Sequence, residues 1–263
     1  MSVRVKAFTL IEMLVVISVI SLLLAIVLPV LNAVKAQGKS VVCKSNLRQL
    51  ALANSSYANE NNGHYAPASL DIFGDNNYRW HGVRDIKADP FGASKGPLSP
   101  HLDKVSLQCP AKVRFKQLEY LNPRYDSGGG YGYNMIYIGS KIWTSGYEDA
   151  SCKDTAREAG IARPSLTLMF ADTAAIHKKE LIEYSFAEPR YFIAGGKPVT
   201  DAWNPEPSIH FRHRRRANIA WVDGHADSKK IAKSDVTNPD GAKPSDMNIG
   251  WFEPMDNSMF DLK

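Results

Sequence analysis

The chain has 263 residues, is 44% hydrophobic and carries a formal net charge of +5 at pH 7. That length accommodates a membrane helix and one head of about 200 residues, enough to bury a core. Arg4 and Lys6 supply two of the charges, so the side chains of residues 8–263 sum to 5 − 2 = +3, a balance too weak to imply a nucleic-acid partner.

Residues 1–7 form a short basic leader, and residues 8–31 a run of 24 with a single ionisable side chain, Glu12. Crossing a bilayer takes about 20 apolar residues as helix, because lipid offers the backbone no hydrogen-bond partners. Positive flanks stay cytoplasmic. The run therefore reads as a single-pass helix in the inner (cytoplasmic) membrane, its N terminus cytoplasmic and the rest of the chain periplasmic or extracellular. A cleaved secretory signal would have an apolar core of about 7–15 residues ending at an A-x-A-like site. Here the run is longer, and Ala33-Val34-Lys35-Ala36 fits that site poorly. Glu12 sets the run apart from a plain anchor. An acid costs about 2.5–3.5 kcal/mol at the bilayer centre and less near an interface, and the run contains no other charge to pair with it.

The residues Lys6-Ala7-Phe8-Thr9-Leu10-Ile11-Glu12 resemble the processing site of type IV pilins and of the pseudopilins of type II secretion. The resemblance implies that a prepilin peptidase/N-methyltransferase cuts between Ala7 and Phe8 and methylates the new amine of Phe8. It implies that Glu12 pairs with the amine of an assembling neighbour, replacing an unpaired intramembrane charge by a paired one. Ala7 departs from the family's usual glycine and implies slower cleavage. Pro29 falls where many pilins place a helix-kinking proline, so Phe8, Glu12 and Pro29 are the implied assembly residues.

Beyond the membrane, residues 32–62 read as an amphipathic continuation of the same helix. Cys43, Leu47, Leu50, Asn54 and Tyr57 share one face, widened by Val34 and Ala51, while Lys35, Lys39, Lys44, Arg48 and Glu60 lie mostly off it. Asn61-Asn62-Gly63 is the stop signal, with Gly63 free to turn left-handed after the last turn. A helix from Phe8 to Asn61 would be about 80 Å long at 1.5 Å per residue.

Residues 63–263 are expected to form the globular head. Up to Pro123, prolines scattered among glycines favour loops and short turns. Gly92-Ala93-Ser94-Lys95-Gly96 matches G-x-S-x-G, but a nucleophile elbow needs a strand before and a helix after. Asp89-Pro90 and Pro97-Leu98-Ser99-Pro100 deny it both. Strands are expected over Tyr131–Ile138, Leu166–Ala171, Glu180–Phe186, Arg190–Ala194 and Asn218–Val222, and again from His225. Asp223-Gly224 between the last two is a strong hairpin signal, with both central turn residues expected at positive φ. The tail from Ala232 looks irregular, pinned by Trp251, Phe252 and Phe260. The expected class is α+β and pilin-like: one long N-terminal helix packed on an antiparallel head.

His213, nine intervening residues, then Asp223-Gly224 resembles the H-x9-DG signature near the C terminus of a pilin-like family abundant in planctomycetes. Cys43 to Leu50, Leu107 to Pro110, Tyr131 to Asn134 and Pro164 to Asp172 agree with that family in order. The resemblance implies architecture more firmly than activity.

His213 also stands among Arg212, Arg214, Arg215, Arg216, His210 and His225. Guanidinium forks suit carboxylates and phosphates, so Arg212, His213, Arg214, Arg215 and Arg216 are candidates for docking an anion. A solvated loop leading into the hairpin accounts for the same residues. His210-x-x-His213 and His225-x-Asp227 could converge on zinc, but their spacing fits no strong template. Asp235, Asp240 and Asp246 lack the regularity of a calcium loop. No metal and no cofactor is therefore assigned, and no catalytic constellation emerges. Cys43, Cys109 and Cys152 allow one disulfide and leave one thiol over, with the pairing open.

Two functions remain. In the first, a non-enzymatic pilin-like subunit joins other pilin-like subunits through its N-terminal helix in a pseudopilus or pilus of a type II secretion or type IV pilus-like system. In the second, a membrane-anchored extracytoplasmic binding protein uses the basic surface without polymerising, which leaves Glu12 unexplained.

Overall fold

The computed structural model describes residues 9–86, 89–102, 108–111, 113, 115, 129–200, 205–233 and 241–263. Arg4, Lys6, Ala7 and Phe8 lie outside them, as do Leu107, Asp235 and Asp240. The chain divides into two compact units, Met1–Gly38 and Lys39–Lys263.

Helix α1 (Leu10–Glu60) runs without a break through Pro29, whose ring removes one backbone donor. In the first unit every side chain from Leu10 to Leu31 is exposed. The polar side chains there look inward to the backbone: Ser18 Oγ donates to the Val15 carbonyl at 2.8 Å and Ser21 Oγ to the Ile17 carbonyl at 2.7 Å. Hydroxyls bonded back in this way leave the helix surface apolar apart from Glu12, and the helix is long and apolar enough to cross a membrane.

In the second unit α1 buries Cys43, Asn46, Leu47, Leu50, Ala51, Ala53, Asn54 and Ala58. The expected stripe is recovered with two changes: Tyr57 is only half-buried, and Val34 is exposed. Asn62 and Gly63 both take positive φ, and the Gly63 amide reaches back to the Ala58 carbonyl at 2.8 Å. That bond caps an otherwise orphaned carbonyl and ends the helix.

The central sheet has four antiparallel strands: β1 (Tyr131–Tyr133), β2 (Leu168–Asp172), β3 (Arg216–Trp221) and β4 (Ala226–Lys230), in the order β4-β3-β2-β1. All of β2 and all of β3 after Arg216 are buried, as a strand covered on both faces must be. β4 is the polar edge, ending in two exposed lysines that discourage edge pairing. Short antiparallel hairpins surround the sheet, including Ala175–His177 with Glu180–Ile182, and Ile193–Ala194 with Lys197–Pro198.

The α+β arrangement is as the sequence predicts, but several strands are shorter. The Tyr131–Ile138 strand stops at Tyr133 because the Asn134 side-chain amide donates to the Leu168 and Phe260 carbonyls, and the Asn134 main-chain carbonyl accepts from the Ile138 and Gly139 amides. Those bonds turn the chain. The G-x-S-x-G segment is a single 3-10 turn, Ala93–Lys95. In the tail, Ile249–Gly250 pairs with Ile209–His210, and Trp251, Phe252 and Phe260 are buried as anticipated.

The β3–β4 hairpin closes at Asp223-Gly224, by a different turn from the one expected. The Trp221 amide donates to the His225 carbonyl, and the Gly224 amide to the Trp221 carbonyl, each at 3.0 Å. This is a three-residue loop in which Gly224 alone takes positive φ, at +84°. A Cβ on Gly224 would also sit 3.4 Å from Leu52 Cδ2 of α1. Gly224→Val is therefore expected to cost about 1–3 kcal/mol and to lower the Tm of the detergent-solubilised protein by several degrees. A calorimetric Tm equal to wild type would contradict the strained turn.

Candidate functional site

At the start of α1, Thr9 and Glu12 form a capping box. The Thr9 amide and hydroxyl donate to Glu12 Oε2 at 2.8 and 2.7 Å, and the Glu12 amide donates to Thr9 Oγ1 at 3.3 Å. This arrangement satisfies helix-terminal donors reciprocally. Glu12 thus has a partner inside the chain that the charge pattern alone did not disclose.

A second constellation lies in the unit Lys39–Lys263. Cys43 projects from the buried face of α1, Cys109 from the segment 108–111, Asp172 from the end of β2 and His213 from the turn before β3. One ligand atom from each lies within 4.8 Å of all the others. Cys43 Sγ donates to Asp172 Oδ1 at 3.1 Å, His213 Nε2 lies 3.4 Å from Asp172 Oδ2, and Cys109 Sγ lies 3.3 Å from His213 Nε2. The Asn218 amide completes the carboxylate's shell at 2.8 Å. Asp172 is wholly buried and His213 nearly so.

The electrostatics follow from that packing. Burial opposes charge on Asp172, but the His213 hydrogen bond and the Arg212 charge outweigh it and hold the carboxyl below its ordinary range. Burial likewise opposes charge on His213, yet the Asp172 hydrogen bond, helped by Cys109, raises it to about 9. The thiols diverge. The hydrogen bond with Cys43 lowers Cys109 against the effect of burial, and burial pushes Cys43 well up.

The basic run divides. Arg212 and His213, expected among the docking residues, turn inward: Arg212 donates to the Thr173 carbonyl and lies 5.4 Å from the Phe115 ring. Arg214 and Arg215 take positive φ at the tip of the turn and are exposed, as is Arg216. With Lys230, Lys233 and Ser245 they line a concavity of about 570 Å³.

The other histidine pattern does not assemble. His210 sits on a short strand, where burial and then the Arg212 charge push it down to about 3. His225 bonds Asp223 at 2.5 Å and stacks on Trp221, while Asp227 accepts from the Trp221 indole at 3.0 Å. The cysteines are all free, and Cys152 is buried away from the other two. What the sequence reading missed was Asp172. It named Cys43, Cys109 and His213 separately, and no local spacing joins residues brought together from a helix, a loop, a strand end and a turn.

Residues 3–28 match the family model of the prokaryotic N-terminal methylation motif. The N terminus carries a prepilin-type signature. It supports a type IV pilin-like protein, processed by a prepilin peptidase and built as a structural subunit. With the apolar α1 it fits a membrane-anchored, single-pass chain. No curated protein and no solved structure matches the chain.

The two histidines of the hairpin region should differ sharply on truncation. His213→Ala leaves the buried Asp172 charge without its main partner, which costs about 3–5 kcal/mol. His225→Ala breaks an exposed pair worth about 0–1 kcal/mol. Equal Tm values for the two variants would contradict the buried ion pair.

Proposed function

We propose that the chain is a pilin-like subunit, cut between Ala7 and Phe8, N-methylated, and assembled through its N-terminal helix into a pseudopilus or pilus of a type II secretion or type IV pilus-like system. In this reading residues 1–7 are the leader, 8–31 the transmembrane helix, 32–62 its amphipathic continuation and 63–263 the head. The helix sits in the inner membrane with its N terminus cytoplasmic and its head periplasmic or extracellular. The match over residues 3–28 carries the reading. The exposed apolar surface of Leu10–Leu31 supports it, because parallel packing of such helices covers that surface within an assembly. Glu12 then pairs with the Phe8 amine of a neighbour.

In a host with an active prepilin peptidase, the membrane-fraction protein should begin at an N-methylated Phe8. Met1 or Ser2 found intact would refute the processing. The capping box makes Glu12→Gln the cleaner test of pairing, since glutamine still serves the cap but brings no charge. The variant should insert and be cleaved, yet assemble poorly by cross-linking or shear. Wild-type assembly would remove the charge pairing.

A second reading, a non-polymerising anchored protein that docks anions, draws on the basic concavity at Arg214–Arg216. Replacing Arg214, Arg215 and Arg216 together by Ser should leave the Tm nearly unchanged, as exposed ion pairs contribute about 0–1 kcal/mol. Binding to anionic vesicles should fall, and wild-type binding should weaken as salt rises. Salt-independent binding retained by the triple variant would dismiss the docking surface.

A further inference from the structure

We infer that Cys43, Cys109, Asp172 and His213 form a structural zinc site. Zinc bonds thiolate sulfur at about 2.3 Å and imidazole nitrogen or carboxylate oxygen at about 2.0–2.2 Å, so tetrahedral coordination sets neighbouring ligand atoms about 3.3–3.8 Å apart. Three of the five separations between unlike ligands are 3.1, 3.3 and 3.4 Å, the two to Asp172 reaching different oxygens of its carboxylate, and one ligand atom from each residue lies within 4.8 Å of the others. An ion would need only small side-chain shifts to sit among them. Two sulfurs, a nitrogen and an oxygen form a borderline-soft donor set that suits zinc better than calcium or magnesium, which take oxygen ligands.

The surroundings fit a closed site rather than a catalytic one. Four protein ligands leave no open position, which is the structural pattern. The Asn218 amide holds Asp172 Oδ2 at 2.8 Å, the kind of outer contact that orients a ligating carboxylate. Cys109 is half-buried and supplies an entry path. Arg212 adds an independent observation. Its Nε and Nη1 are buried without a hydrogen-bond partner among the described residues. Its charge acts on both Asp172 and Cys109. Zinc with two thiolates, one carboxylate and a neutral imidazole carries one net negative charge, which this guanidinium offsets. Loading would release to solvent whatever protons the thiols and the imidazole still carry, as metal binding to such ligands does.

The role assigned is a clamp. The ion would tie α1 to the segment 108–111, to the end of β2 and to the turn before β3, four pieces distant in sequence.

Full-length protein in detergent, purified reduced and without chelator, should retain stoichiometric zinc. After chelation, added cobalt(II) alone should give the strong ligand-field bands of tetrahedral thiolate-bound cobalt. Cys109→Ser and Asp172→Asn should each weaken zinc binding by more than about 100-fold, the upper end of what outer contacts cost, while Cys152→Ser should bind as wild type. Cys109→His guards against misfolding of the serine variant: it should still bind cobalt, with one fewer sulfur-to-cobalt charge-transfer contribution. A reduced wild type that takes up no tetrahedral cobalt would overturn the site. So would zinc held equally well by Cys109→Ser, or a Cys43–Cys109 disulfide in peptide maps of zinc-free native protein.

Discussion

One face of α1 makes a series of polar bonds to the sheet, and the fold of the unit Lys39–Lys263 depends on it. Ser40 donates to Asn218 at 3.1 Å, Cys43 to Asp172 at 3.1 Å, Asn46 to the Tyr131 hydroxyl at 3.2 Å and Asn54 to the Tyr133 hydroxyl at 2.9 Å. Ser40, Asn46 and Asn54 lie three, three and eleven residues from Cys43, spacings that return to the same side of a helix. Apolar packing alone, with Leu47 and Leu50 between them, would hold the helix on the sheet but leave its rotation and axial position weakly defined. A buried polar group left unpaired costs more than a good bond contributes, so a slip of one residue would be penalised at several points together. Asn54 also accepts from the Ala66 amide at 2.9 Å, fixing where the chain goes after the helix.

That seam explains how much was legible in the residues. Helix period, the Asn62-Gly63 stop and the aromatic and β-branched runs are local signals, and they located α1 and the sheet. Strand length was less legible. Nothing in Tyr131 to Ile138 announces that Asn134 will bond two distant carbonyls and turn the chain. The Asp223-Gly224 turn was visible as a turn, but its type depends on Trp221 pairing with His225 across a three-residue loop. Of the cysteine–histidine–carboxylate cluster the sequence supplied the parts without their meeting, because four separate elements must fold before the atoms converge.

The structure also gives the His213, Asp223, Gly224 spacing a physical meaning. His213 precedes β3 and Asp223-Gly224 follows it, so the nine residues between measure one six-residue strand with its flanks. At about 3.3 Å per residue such a strand separates its ends by roughly 20 Å. The histidine and the turn therefore cannot share one site. His213 belongs to the buried cluster, while Gly224 brings the far end of the hairpin against Leu52. Both ends of the hairpin thus meet groups carried by α1 in the same unit, one by polar contact with the cluster around Cys43 and the other by close packing.

Glu12 faces a different constraint, since a membrane carboxylate must be satisfied before and after any assembly. The capping box meets the first condition, and both Thr9 donors converge on Oε2 alone. On the proposed pairing, a neighbour's amine can approach Oε1 while those bonds remain. Assembly would then add a charge-assisted bond without the loss of the cap, and such bonds are roughly twice as strong as neutral ones. A carboxylate suits this double duty because its two oxygens can serve different partners. Glutamine offers one oxygen and no charge, and alanine neither, which is why the glutamine variant isolates pairing from capping.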